Sequence, residues 1–211
     1  AQVMLRSLRC ARSHFHPLGL RSMGNVCTGD RARPSGLFLA RVAVSDEKKY
    51  ANYKSLTPGA VETHFGRFVV RGDIKKQICG EKDERRLVMI AFPSKASAAE
   101  FYHSPEYAEA IEARQGASEG QYGVVGAVAA LSGKKSTYLI AFGGEVADVA
   151  SHGGRLISKE PLTVLEPEQD PADNTMLCTV VEWDTEEELE KFITSGASCG
   201  GQAFFARGLE P

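Results

Sequence analysis

FGRFVVRG (Phe65 to Gly72) and GGRLISKE (Gly153 to Glu160) decide how this chain is read. Each carries a glycine just before a run with strand character, and the same signals follow each. After the first come RRLVMIAF (Arg85 to Phe92), AAEFY (Ala98 to Tyr102) and QYGVVGAVAA (Gln121 to Ala130). After the second come TMLCTVVEW (Thr175 to Trp183), EEELEKF (Glu186 to Phe192) and GQAFFARG (Gly201 to Gly208). Strand, helix or turn, strand, strand, helix, strand is thus written twice. One such βαββαβ unit makes an open antiparallel sheet with helices on one face, and its bare face must be covered. Two units in one chain can cover each other. The expected organisation is a basic segment over residues 1–36, a first α+β unit over 37–131 and a second, degenerate unit over 137–211.

LFLARVAVS (Leu37 to Ser45) reads as the first strand, and Asp46 or Ser45 as the cap of a helix through KKYANYKSL. Tyr50 and Tyr53 give that helix an aromatic face, and Thr57, Pro58 and Gly59 are expected to stop it. FVVRGDIKKQICGEKDERRLVMIAF reads as one long hairpin. Pro93-Ser94 starts a second helix, and Ser104 starts a third with Pro105 at its first position. The last strand is expected from Tyr122 to Ala129. In the second unit the first helix shrinks to EVADVASH, and ITSGASCGGQ leads almost directly into the final strand.

At this point the residues carry a resemblance. Gly66, Phe92-Pro93-Ser94, Ser104-Pro105-Glu106-Tyr107 and Arg114 occur in an order that resembles the family catalogued as domain of unknown function 1330. The resemblance covers residues 37–130 and departs in one place, where the usual Gly-Gly pair reads Phe65-Gly66. That family is similar to dimeric α+β barrels, in which ferredoxin-like units pair sheet on sheet. The resemblance implies an α+β fold: two ferredoxin-like βαββαβ units packed as an intramolecular dimeric α+β barrel, with an extended N-terminal arm.

The net charge of −2 hides an asymmetry. Residues 1–36 hold Arg6, Arg9, Arg12, Arg21, Arg31 and Arg33 against one acid, Asp30, which is +5 and leaves −7 for the rest. A basic leader on an acidic body is unlike a nucleic-acid domain, whose cations lie on the folded part. Its Arg-rich, acid-poor composition matches an organellar transit segment, mitochondrial before plastid. Retained, it would form an arm binding other subunits or anionic lipid headgroups through those six arginines. No apolar run reaches the ~18 residues of a membrane span.

Cys10, Cys27, Cys79, Cys178 and Cys199 include no CxxC pair, which points to a reducing compartment without a disulfide framework. The five histidines show no metal-ligand spacing, so neither a metal nor a cofactor is expected. The glycine-rich stretches fit no nucleotide-binding pattern. A ligand pocket in the first unit would draw on His64, Arg67, Tyr107 and Arg114, with an arginine holding an anion and His64 trading a proton. Asp46 and Ser104 belong to the same polar set. Against that, Asp46 and Ser104 suit helix caps, His64 suits a surface loop, and Arg114 suits a pair with Glu109 or Glu112. The sequence therefore supports a non-catalytic accessory subunit of a mitochondrial membrane complex, such as a respiratory complex or ATP synthase. The alternatives are a small-molecule-binding protein or small enzyme of the dimeric α+β barrel type, and a plastid complex subunit.

Overall fold

Alternation along β1 (Gly36–Val44) sends Leu37 and Leu39 to one core and Phe38, Ala40 and Val42 to another. A strand buried on both faces needs a layer on each side, and the computed structural model supplies them. It describes residues 34–72, 74–166, 175–196 and 199–209. The remaining strands are β2 (Arg67–Gly72), β3 (Ile74–Cys79), β4 (Arg86–Phe92), β5 (Ser118–Gly126), β6 (Thr137–Phe142), β7 (Arg155–Pro161), β8 (Thr163–Val164), β9 (Leu177–Trp183) and β10 (Gln202–Arg207). The helices are α1 (Glu47–Thr63), α2 (Lys95–Tyr102), α3 (Pro105–Arg114) and α4 (Glu186–Thr194), with one 3-10 turn at Ala150–His152. The basic leader up to residue 33 lies outside the described residues. Among the described residues, no helix is long and apolar enough to cross a membrane.

The strands form two antiparallel sheets, β2-β4-β1-β5-β8 and β3-β10-β6-β9-β7. Counted within each unit, the four principal strands stand in the same order, second-third-first-fourth. This is the ferredoxin-like arrangement, present in both sheets. The fifth strand of each sheet comes from the other unit: β3 joins β10, and β8 joins β5. Leu39 and Met89 from the first sheet and Ile140 and Val180 from the second share one core between the sheets. Helices α1 to α3 cover the outer face of the first sheet, and α4 packs on the outer face of the second. The fold is an α+β barrel of two ferredoxin-like units within one chain.

Register makes the correspondence residue by residue. Gly36 faces Phe92 across β1 and β4, as Thr137 faces Trp183 across β6 and β9. Ser94 and Thr185, each two residues further on, cap α2 and α4. Phe92 stacks on Phe101 at 5.0 Å, and Trp183 on Phe192 at 5.1 Å. His64 meets the edge of Phe101 at 6.0 Å, and His152 that of Phe192 at 5.5 Å. Both second strands bulge at one point, with Val69 and Ile157 as the extra residues. Gly66 and Gly154 lie so close beneath Phe92 and Trp183 that an added Cβ would come within 2.5 Å of the ring.

Three expectations are corrected here. The long hairpin after Phe68 is interrupted: β2 pairs with β4, while β3 crosses to the second sheet. The last strand of the first unit is β5, ending at Gly126, because Glu160 accepts its N–H at 2.7 Å and Ser158 Oγ donates to its carbonyl. EVADVASH keeps only the turn at Ala150–His152, since Asp148 adopts a left-handed φ of 55° that no helix continues through.

Candidate functional site

A cleft in the first unit lies beneath α1. Asp46 starts that helix, accepting the backbone N–H of Lys48 at 3.0 Å and of Lys49 at 3.1 Å. Tyr50, Tyr53, Thr57, Ala60 and Val61 then fall on one buried face. The helix does not stop at Thr57–Gly59 but runs through Pro58 to Thr63. Proline cannot donate to the carbonyl four residues earlier, which is that of Lys54. Arg71 Nη2 approaches that carbonyl at 3.5 Å. The guanidinium itself lies 4.5 Å over the Phe68 ring.

Floor and roof are apolar. Phe38, Phe68, Val88 and Ile90 of the sheet face Tyr50 and Tyr53 of α1. The space spans about 500 Å³ counted out into its open mouth, with about 40 Å³ free for the centre of a water molecule. Lys54, Arg71 and Arg86 also line it, Arg71 exposed and the other two half-buried. Glu47 reaches Lys54 at 3.4 Å and Arg86 at 3.8 Å, and is itself largely exposed. Pairs of this kind contribute about 0–1 kcal/mol, so they hold neither cation against an incoming anion.

Behind α1 the cleft backs onto a tyrosine cluster. The hydroxyls of Tyr53 and Tyr107 lie 2.7 Å apart. Arg114 Nη2 donates to Glu166 at 2.6 Å and to the Tyr102 hydroxyl at 3.1 Å, and its guanidinium sits 4.1 Å over the Tyr122 ring. Tyr102 also donates to Glu166. The Tyr122 hydroxyl and Arg114 Nε are buried without a hydrogen-bond partner. Burial pushes the phenols of Tyr50, Tyr102, Tyr107 and Tyr122 above their ordinary range, with added contributions from Tyr53 at Tyr50 and Tyr107 and from Glu166 at Tyr102. They are therefore neutral near pH 7. Burial opposes the Arg114 charge, but the surrounding phenols and Glu166 outweigh it and keep the group protonated. The cluster is a set of hydrogen-bonding groups around one cation.

The four residues singled out from sequence are not gathered in one place. Tyr107 and Arg114 lie in the cluster. His64 sits at its margin, 3.7 Å from Glu106 and against Phe101, so it is a packed residue and not a loose surface one. Arg67 is elsewhere: its charge acts on Tyr138, between the sheets. Arg114 pairs with Glu166, not with Glu109 or Glu112. Asp46 and Ser104 are helix caps. The six leader arginines, Arg6 to Arg33, lie outside the described residues. Lys54, Arg71 and Arg86 were missed. The alternation Arg86, Val88, Ile90 would have placed Arg86 on the helix side; Arg71 was hidden because the Val69 bulge reverses the parity of β2. Among the described residues, no three His, Cys, Asp or Glu side chains cluster to hold a metal ion.

Comparison with curated proteins by sequence finds no match. Among solved structures, a protein of unknown function from Rhodopseudomonas palustris aligns over 44% of this chain and 82% of its own, at 21% identity and a TM-score of 0.38. A chlorite dismutase variant from Candidatus Nitrospira defluvii aligns over 84% of this chain and 92% of its own, at 10% identity and a TM-score of 0.44. A dye-decolorizing peroxidase from Bacteroides thetaiotaomicron aligns over 83% and 93%, at 9% identity and a TM-score of 0.42. Over residues 35–128, which hold β1 to β5 and all three helices that roof the first sheet, the chain matches the family described as Domain of unknown function (DUF1330).

Proposed function

We propose that the protein binds a small anionic molecule with an apolar body in the cleft beneath α1. The observation that carries this reading is the set of three cations, Lys54, Arg71 and Arg86, in the wall of a cleft otherwise lined mainly by apolar and aromatic side chains. Arginine forks suit carboxylate and phosphate groups, and the aromatic walls suit a flat apolar body. The test titrates the protein with benzoate and with neutral benzamide, following amide shifts by NMR. Benzoate is expected to shift residues of α1, β2 and β4, and Arg86→Gln to weaken it about tenfold. Equal response to both compounds, or shifts confined to other elements, would sink the reading.

A role as a subunit on a mitochondrial inner membrane is a separate proposal, with a plastid complex as its variant. It is supported by the charge of the leader alone, +5 over residues 1–36. Nothing in the folded units adds to it. Migration with a large complex on a native gel is its test.

A further inference from the structure

Cys79 and Cys199 stand 120 residues apart in sequence and side by side in space. Cys79 ends β3, the strand that the first unit lends to the second sheet, and pairs there with Ala203 of β10. Cys199 precedes β10 and is tied by a bridge to Val146. Cys79 Sγ donates to the Cys199 carbonyl at 3.2 Å, and the Cys79 thiol is near enough to act on that of Cys199. Both are partly buried against the core beneath α4. The third described cysteine, Cys178, is fully buried in the core between the sheets, apart from the cluster that holds the other two.

We propose that Cys79 and Cys199 form an intramolecular disulfide when the protein meets hydrogen peroxide, clamping the lent strand β3 to the start of β10. The sulfur of Cys79 attacks one peroxide oxygen, the O–O bond breaks, and the thiol proton leaves with the departing oxygen as water. The sulfenic acid on Cys79 is then attacked by the sulfur of Cys199. An S–S bond forms, the S–O bond breaks, and the hydroxyl leaves with the Cys199 proton as a second water. Two thiols are oxidised and one peroxide is reduced. Adjacency replaces encounter, because the second thiol is already in place when the first is oxidised. Burial, then the neighbouring Cys79, push the Cys199 thiol up to about 12, so it is a slow attacker. The pair is accordingly a slow clamp and not a rapid sensor.

The full chain carrying Cys10→Ser and Cys27→Ser is the material for the test, which leaves three cysteines. After peroxide treatment, free thiols are alkylated and the unreduced protein is digested for mass spectrometry. The expected result is a Cys79–Cys199 linked peptide, a protein lighter by two hydrogens, one remaining alkylated thiol at Cys178, and a raised midpoint of thermal unfolding. Cys79→Ser and Cys199→Ser should each abolish the link and the rise, so one poorly folding variant leaves the other to decide. Full alkylation of all three thiols after treatment, separate sulfinic acids at the two positions, or a link involving Cys178 would each overturn the proposal.

Discussion

The Arg41 guanidinium lies 4.3 Å above the ring of Phe142, and these two residues hold matching places on β1 and β6. Arg41 faces Leu87, and Phe142 faces Cys178, at equivalent points of the two registers. Their other cross-strand neighbours, Gln121 and Gln202, match as well, and Arg41 donates to both. A strictly symmetric pair would put two buried guanidinium groups face to face. The chain puts a cation against an aromatic face instead, and Asp83 supplies a carboxylate 3.5 Å away.

Replacing Arg41 by Ala should therefore destabilise the protein by about 3–5 kcal/mol, because Asp83 and two glutamine amides lose a buried partner. Phe142→Arg should do comparable damage by like-charge burial, whereas Phe142→Leu should cost about 1–2 kcal/mol. Urea unfolding followed by far-UV circular dichroism measures all three. Equal stability of Arg41→Ala and wild type would refute the role given to the pair.

Acid should act through Asp83. Burial raises its pKa, but the hydrogen bonds from Arg85 and the charge of Arg41 outweigh burial and hold it below the usual carboxylate range. A carboxyl depressed in the folded state contributes stability above its unfolded pKa of about 4, and that contribution is lost as pH falls through the folded value. Stability measured from pH 6 downward should fall less steeply for Asp83→Asn than for wild type, from a lower starting level. Parallel curves would show that another group is responsible.

Phe65 and Gly153 hold the same left-handed turn in the two units, with φ of 57° and 75°. The Phe65 side chain is 83% exposed and returns little for the strain. Phe65→Gly should thus leave stability within about 1 kcal/mol of wild type. Gly66→Ala, one residue on, should lose about 1–3 kcal/mol by forcing the Phe92 ring aside. Thermal midpoints separate the two outcomes, and a Gly66→Ala protein as stable as its parent would contradict the packing.

His64→Ala should leave benzoate binding within about twofold of wild type, since His64 lies against Phe101 and Glu106 and lines no part of the cleft. Arg71→Gln should weaken it, with a lesser loss of stability through the Lys54 carbonyl. Reversal of that order in an NMR titration would relocate the site toward the residues first chosen from sequence.

Much of this was legible before any coordinates. Leu37, Leu39 and the Val42/Val44 pair announce a strand, but they read as a half-buried one, and only the second layer shows it buried on both faces. Ser94 and Ser104 with Pro105 announce helix starts, and both serines cap the helices that follow them. What escaped depends on distant partners. Pro58 reads as a stop signal, and its tolerance involves Arg71. IKKQIC reads as the return arm of a hairpin, because nothing local says which sheet it will join. Arg114 has Glu109 and Glu112 within five residues on its own helix, yet a residue 52 positions on claims it. The likeness of Thr63-His64-Phe65-Gly66-Arg67 to Ser151-His152-Gly153-Gly154-Arg155 was in plain sight, but register and stacking are what give it meaning.

The exchange of β3 and β8 between the sheets also governs how the molecule comes apart. Pulling the two halves away from each other would strip an edge strand from each sheet as well as open the apolar core between them. Neither half therefore has a separate melting event available, and a protease cut in the loop joining them would leave two fragments that stay associated until the whole denatures. Denaturation of the described body should be one sharp event, its steepness set by the combined size of both halves.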